Sequence, residues 1–438
     1  MLAALVCGQL LSAPLRAQQT EENTDTQTLL RLTGSNTIGA ELAPMLVKGY
    51  LRSLDATEIT QRSQGERHWI SARLSGQRVE VPIVALGSST GFNALDHGSA
   101  DIGMASRRIK ATEIQRLSRF GNMAGADAEH VIGLDALVIA VHPSNPVGQL
   151  TIDQLGQIYR GEIRNWRELG GPNLPIRPLQ RDTQSGTRAT FDREVFASGG
   201  APAATVRVVS GNAETHSLVQ KWRGAIGYLP FAEASGISKI AIKAGNLAAV
   251  VPDRGIIATE DFPLTRRLYL YRNPGSFNPR VDDFLRYAES PAGQEIVASA
   301  GFINLTPVTL KMPPYPNAPA AYRQLMESGE RLSISFRFAD GSTELDNRAL
   351  EDLHRLQHYM EASERPLNLT LVGFSDHKNN RNIADQISRF RALKVQGALL
   401  RDHQLGNSRI LALGAFAPLT GNREHAPVKN SRVEVWIN

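Results

Sequence analysis

The chain is poor in cysteine, in long apolar runs and in blocks of like charge, and each shortage removes a class of function. Its one cysteine, Cys7, lies near the start, so no disulfide framework can form within the chain and thiol chemistry has no second sulfur to use. No apolar stretch reaches the roughly 20 residues that a membrane-crossing helix needs, and strand-like segments are too few and irregular for an outer-membrane barrel. The formal charge is +5, from 48 basic and 43 acidic residues. The basic residues are scattered, whereas nucleic-acid binding needs a clustered basic surface, so none is expected. Walker and dinucleotide loops are missing, and no cofactor is expected. His354 and His358 stand one helical turn apart, a spacing that can chelate zinc, but without a third ligand they read as an ordinary helix face and no metal site is expected. Residues 87–91 fit the Gly-x-Ser-x-Gly pattern of a nucleophile elbow around Ser89, yet the sequence places no histidine as its base, so no enzymatic activity is expected.

What is present divides the 438 residues into unlike parts, and the length fits two or three domains. Residues 1–17 are short and apolar and precede the polar run 18–28, the pattern of a secretory signal ending near Ala17. The usual positive start of such a signal is missing, so either the signal is atypical or translation begins upstream. From 29 to 311, short apolar strands alternate with helix-length amphipathic runs, which argues for α/β layers. Residues 312–320 carry four prolines and cannot propagate a helix or pair in a central strand, so 312–330 reads as a semi-rigid linker followed by a connecting helix. Beyond it, 331–438 reads as a second α/β domain. Strands are predicted at 332–338, 367–372 and 432–437, and helices at 347–361 and 383–400, the first with Leu350, Leu353, Leu356 and Met360 along one face.

The densest chemistry lies at 180–188, Gln-Arg-Asp-Thr-Gln-Ser-Gly-Thr-Arg. Phe191 and Val195 follow four residues apart, as on one helical face, so Ser185, Gly186 and Thr187 fall at a helix start, where free N–H groups and the positive dipole end face an anion. Arg181 adds a fork-shaped guanidinium suited to bidentate contact. Turns at 33–38, 87–91 and 106–107 each end an apolar strand-like run and supply further hydroxyls and N–H groups; taken singly, each is an ordinary helix start, but in an open α/β sheet such turns can converge.

Six blocks in order, at 33–39, 87–91, 100–107, 152–166, 180–188 and 224–229, resemble the phosphate-binding (PstS-like) subunits of ABC importers over nearly all of 29–311. The resemblance implies a two-lobed periplasmic binding protein of the Venus-flytrap kind that closes on a dehydrated anion. By position it implies a hydroxyl and an N–H from Thr37 and Ile38, the hydroxyl of Ser88, and Arg181, Ser185, Gly186 and Thr187 from the second lobe. Better-known relatives follow the segment 101–106 with an aspartate that accepts the proton of hydrogen phosphate. Here that position is Arg107, as in a subgroup whose motif reads Ser-Arg. If Arg107 faces the cleft, it adds positive charge to the site and removes the acceptor that separates phosphate from sulfate. Asp182 either replaces that acceptor or points to solvent.

In the second domain Asp376 follows a strand and Arg391 lies on the next helix, a pair that could hold a zwitterion or simply bridge to each other. Segments 334–338, 371–376, 387–395, 414–418 and 430–435 together resemble the OmpA-like peptidoglycan-binding domain, a small α/β sandwich. That resemblance implies that Asp376 and Arg391 grip the diaminopimelate of the stem peptide. The usual Gly-His-Thr-Asp is Gly-Phe-Ser-Asp here, and the helix-start asparagine is Ala384. The combined expectation is a secreted protein of the Gram-negative periplasm that binds inorganic phosphate or a related oxyanion, is attached to peptidoglycan near the outer membrane, and has an ABC importer as a possible partner. The alternative is a structural or adhesion protein of the envelope with a degenerate anion cleft.

Overall fold

The computed structural model describes residues 26–197, 199–244, 249–312, 318–338, 344–364, 366–375, 380–403, 408–416 and 430–438. The expected signal at 1–17 and most of the polar run after it lie outside these residues, as does Asp376.

A 12-stranded sheet runs through the first two-thirds of the chain. Its middle is made by two long antiparallel strands, Glu129–Val141 and Thr265–Arg272, that cross between the lobes. On one side follow Ile102–Ala105, Leu32–Gly34 and then the meander Gln77–Val84, Arg67–Leu74 and Thr57–Gln64; on the other follow Ala225–Pro230, Arg177–Arg181 and Arg207–Val209. Strand Glu129–Val141 is buried along almost its whole length, which is why its sequence is a near-continuous apolar run rather than an alternating one. One core gathers Leu32, Leu46, Ile83 and Met104 with Phe284 and Leu285, and a second gathers Leu155, Tyr159, Trp166, Phe191 and Tyr228. This is the two-lobed α/β architecture expected. Local signals set the helix ends. Helix Ile152–Arg160 starts at Thr151, whose hydroxyl accepts from the Gln154 N–H in a capping box, and stops at Gly161, which takes φ +75.

A separate five-stranded sheet orders Thr309–Leu310, Glu330–Arg337, Arg432–Ile437, Leu369–Gly373 and Ser408–Ala412. Helices Asn347–Glu361 and Arg381–His403 cover it. Its first strand, Thr309–Leu310, pairs antiparallel with Leu332 and Arg331, so the second sheet begins before the expected boundary at 311/312. Helix Ala320–Ser328 is no free connector either: Tyr322 and Leu325 are buried against Val372, Phe374 and Trp436. Of the predicted helix stripe, Leu353 and Leu356 are buried while Leu350 stays exposed. Among the described residues no helix is long and apolar enough to cross a membrane.

Candidate anion-binding site

Three turns of the first lobe and one helix start of the second meet beside the crossover strands. Strand Leu32–Gly34 ends at Gly34, at φ +142, where a side chain would strike the Met104 carbonyl; the chain then turns into the one-turn helix Asn36–Gly39, which buries Thr37 and Ile38. Gly87, at φ +125, leads into helix Ser88–Asp96 and leaves no room for a Cβ against the Gln184 carbonyl of the opposite lobe. Ser88 Oγ accepts from the Ser106 N–H at 3.1 Å. Across the cleft, Ser185 caps helix Gly186–Val195 by accepting from the Arg188 N–H. Gly186 lies so close to the hydroxyls of Ser88 and Ser106 that a Cβ would collide with both. Thr37 Oγ1 and Thr187 Oγ1 are 3.3 Å apart, and Thr190 Oγ1 donates to the Ser106 carbonyl at 3.3 Å. The lobes are therefore closed on each other.

Arg181 is buried at the cleft wall. One terminal nitrogen donates to Asn212 Oδ1 at 2.6 Å, and Asn212 in turn donates to Glu233 at 2.8 Å. Arg181 Nε is buried without a partner. Burial lowers the pKa of this guanidinium and, at Glu233, raises that of the carboxyl. Asp182 Oδ2 stands 3.7 Å from Nη2 on a partly exposed turn, and an incoming anion would supply the acceptor that Nε lacks.

The residue that joins the predicted ligands was not among them. Arg266, on the second crossover strand, donates from Nη1 to Thr187 Oγ1 at 2.8 Å and to Ser106 Oγ at 3.4 Å, and from Nη2 to Thr37 Oγ1 at 3.2 Å. Its Nε and Nη2 hold Asp135 Oδ2 at 3.0 and 2.7 Å, and both side chains are almost fully buried. Asp135 is directly opposite Arg266 in the register of the crossover strands and also accepts from the Phe231 N–H at 2.9 Å. A signal was available: Asp135 is the lone charge inside the apolar run 131–141, and a buried charge in a central strand needs a partner.

Arg107 differs from the conditional reading. Its two terminal nitrogens form a bidentate pair with Glu113 at 2.7 and 2.6 Å, and Nη2 also donates to Ser89 Oγ at 3.0 Å. Ser89 is thus a partner of that pair. Glu113 is the third residue of helix Ala111–Arg116 and also accepts from the Lys110 N–H, so a local helix start draws Arg107 into a neutral pair. Asp182 accepts from the Gln184 N–H at 2.8 Å and is partly exposed; it shapes the turn.

In the second domain Arg391 Nη1 donates to the Phe374 carbonyl at 3.2 Å, and its guanidinium lies 5.4 Å from the Phe338 ring centre. Ala384 is buried, and its carbonyl accepts from Ser375 Oγ at 3.0 Å. His358 faces solvent beside Glu361, and among the described residues no group of three or more potential ligands is arranged to hold a metal ion.

Comparison with known proteins agrees with this division. Residues 64–292 match a PBP superfamily domain and residues 337–432 match the OmpA family. The phosphate-binding protein PstS of Bacillus subtilis is 30% identical over 228 residues, which cover 52% of this chain and 72% of that protein. The PstS of Borreliella burgdorferi is 23% identical over 296 residues, covering 65% of this chain and 92% of that one. Among solved structures, an ABC-type phosphate transport receptor from Vibrio cholerae aligns at 22% identity with a TM-score of 0.48, covering 63% of this chain and 99% of its own. The chain belongs to the PBP superfamily, as a PstS-type binding protein that carries a C-terminal OmpA family domain.

Proposed function

We propose that the two-lobed domain binds inorganic phosphate, or a closely related oxyanion, without covalent chemistry, and that the OmpA family domain associates the protein with peptidoglycan in the cell envelope. The observation that carries the first half is the convergence of Thr37, Ser106 and Thr187 hydroxyls from both lobes on Arg266, beside the buried and incompletely partnered Arg181. Thr37, Ile38, Ser88, Arg181, Ser185, Gly186 and Thr187 are the proposed ligand groups, with Arg266 organising their hydroxyls. Arg107 contributes no free charge to this reading, because Glu113 neutralises it. Phosphate-binding relatives support the choice of anion.

For the second half, Asp376 and Arg391 are the proposed grip on the diaminopimelate stem. The proposed domain plan keeps a signal at 1–17 and a polar segment to 28, and moves the start of the second domain to the strand Thr309–Leu310. An attachment to the wall suits sensing or storage of the anion better than shuttling to an ABC importer, which needs a freely diffusing carrier.

Isothermal titration of the full, anion-stripped protein with phosphate and then sulfate tests the site. Tight phosphate binding that is lost in Arg181→Ala supports it. Absence of binding to both anions, or binding indifferent to Arg181→Ala, would replace it with an envelope structural protein whose cleft is degenerate. Equal retention of wild type and Arg391→Ala on purified peptidoglycan would remove the proposed wall site.

A further inference from the structure

The two domains meet through a buried ionic interface rather than a loose tether. The loop 259–261, which leads from the second lobe into crossover strand Thr265–Arg272, presents two carboxylates to the C-terminal domain. Arg331 pairs with Asp261 at 2.5 Å, Arg348 with Glu260 at 3.1 Å, and Arg337 donates to the Thr259 carbonyl at 3.0 Å. All three arginines are nearly inaccessible to solvent. Glu260 itself takes φ +59, a left-handed conformation unusual for a non-glycine residue and one that persists only where the surroundings over-determine it. From the crossover strand, Arg267 spans both domains, holding Glu260 at 2.6 Å and Asp346 of the C-terminal domain at 2.7 Å.

The same face of the C-terminal domain reaches the first lobe. Asn347, at the start of helix Asn347–Glu361, donates from Nδ2 to the Ala124 carbonyl at 2.9 Å and to Glu129 at 3.1 Å, where the other crossover strand begins. One domain therefore contacts the exit of the second lobe and the edge of the first, with the crossover strands between. Arg266 and Arg267 are neighbours in the chain; on a strand, adjacent side chains leave opposite faces, so the first serves the cleft and the second the domain interface. The lobes that this domain spans are closed, with Gly186 against Ser88 and Gly87 against Gln184.

We propose that the C-terminal domain is a clamp across the crossover strands that favours the closed arrangement of the lobes, so that the wall-binding domain and the anion cleft are energetically coupled. This rests on the reading of the cleft as an anion site, but the lobe movement can be followed without any anion. The clamp adds differential contact to the closed state; a closed-favouring contact raises ligand affinity by the factor it shifts the lobe equilibrium.

The test uses the full chain with Arg337→Met/Arg348→Met, which removes two cations of the interface, and separately Asn347→Ala, which removes only the reach to the first lobe and carries little folding risk. Spin labels at Arg52→Cys and Arg167→Cys, exposed residues of the two lobes, in a Cys7→Ser background, report the interlobe distance without ligand. The expected result is a broader and longer distance distribution in both variants, with the phosphate dissociation constant raised about tenfold in the double variant and about twofold in Asn347→Ala, chiefly through faster release. An unchanged distance distribution, or unchanged or tighter phosphate binding, would overturn the clamp. A wild type that binds no phosphate would overturn the anion reading alone, and the distance measurement would still decide the clamp.

Discussion

The candidate anion cleft and the domain interface both bury arginine, and they surround it differently. In the cleft, Arg266 meets one carboxylate and three hydroxyls, and Arg181 meets an amide oxygen, has Asp182 at 3.7 Å and keeps an Nε without a partner. At the interface, Arg331, Arg348 and Arg267 each face carboxylates, with Glu434 and Asp352 adding more. Asp135 neutralises Arg266 in place, whereas Arg181 has Asp182 only at 3.7 Å and an Nε without a partner, so the candidate cleft keeps a cationic donor for an anion. At the interface the carboxylates neutralise the arginines in place, and the contact serves as a joint. The pairing partner, rather than the presence of arginine, separates a binding site from a fastening.

Four changes would break or sharpen this contrast. The largest effect on stability is expected from Asp261→Asn, which removes the shorter of the two carboxylate contacts of buried Arg331 and leaves Glu434 at 3.5 Å, and should cost about 3 kcal/mol in urea unfolding. In the cleft, Arg181→Ala should weaken phosphate binding about 100-fold, or about 3 kcal/mol, by calorimetry, with little change in unfolding midpoint, because this guanidinium is incompletely paired without ligand. Gly186→Ala should come next: the helix tolerates alanine, but the new Cβ would hold the lobes apart at Ser88 and Ser106, raising the phosphate dissociation constant about tenfold or more with secondary structure intact. The smallest effect is expected from Glu113→Gln, which frees the charge of Arg107 beside the cleft; a shift of about threefold or less in the phosphate-to-sulfate ratio should follow.

Acid should separate the two regions as well. Burial alone would raise the carboxyls of Glu260 and Asp261, but the arginines around them, Arg267 and Arg348 for the first and Arg331 and Arg432 for the second, more than offset it and hold both below the usual carboxylate range. Such groups bind fewer protons folded than unfolded, so their stabilisation is complete above about pH 4 and fades as the pH falls below it toward the folded values. A loss of unfolding free energy between about pH 4 and pH 2 that is smaller in Asp261→Asn would locate the effect at the interface; equal acid sensitivity in the two proteins would place it elsewhere.

Much of the candidate site was legible because it is made of local segments. The turn at 87–91, Arg181 and the helix start at Ser185 each follow from a few adjacent residues, and the structure brings Thr37 and Thr187 together on Arg266, with Ser88 joined to them through Ser106. Helix Asn347–Glu361 and strand Arg432–Ile437 fall at the residues expected from their periodicity. Arg107 was only conditionally readable, since its pairing with Glu113 depends on the turn of the backbone between them. Arg266 was not read at all, because its partner Asp135 stands 131 residues away and only the register of two strands makes them neighbours.

The sequence by itself determined the order of the parts: two lobes of alternating strands and helices, a change of composition, and a second small domain, each specified by periodicity and by capping or turn residues within a few positions. Tertiary structure decided which charges are spent and which are available. Arg107, Arg266, Arg267 and Arg331 are equally cationic in the chain; local turns bring the first and third to Glu113 and Glu260, and only strand pairing and domain docking assign Arg266 to Asp135 and Arg331 to Asp261. The physical reason is that a buried charge takes its meaning from whatever group the fold places within about 3 Å of it, because desolvation leaves no water to substitute for an absent partner.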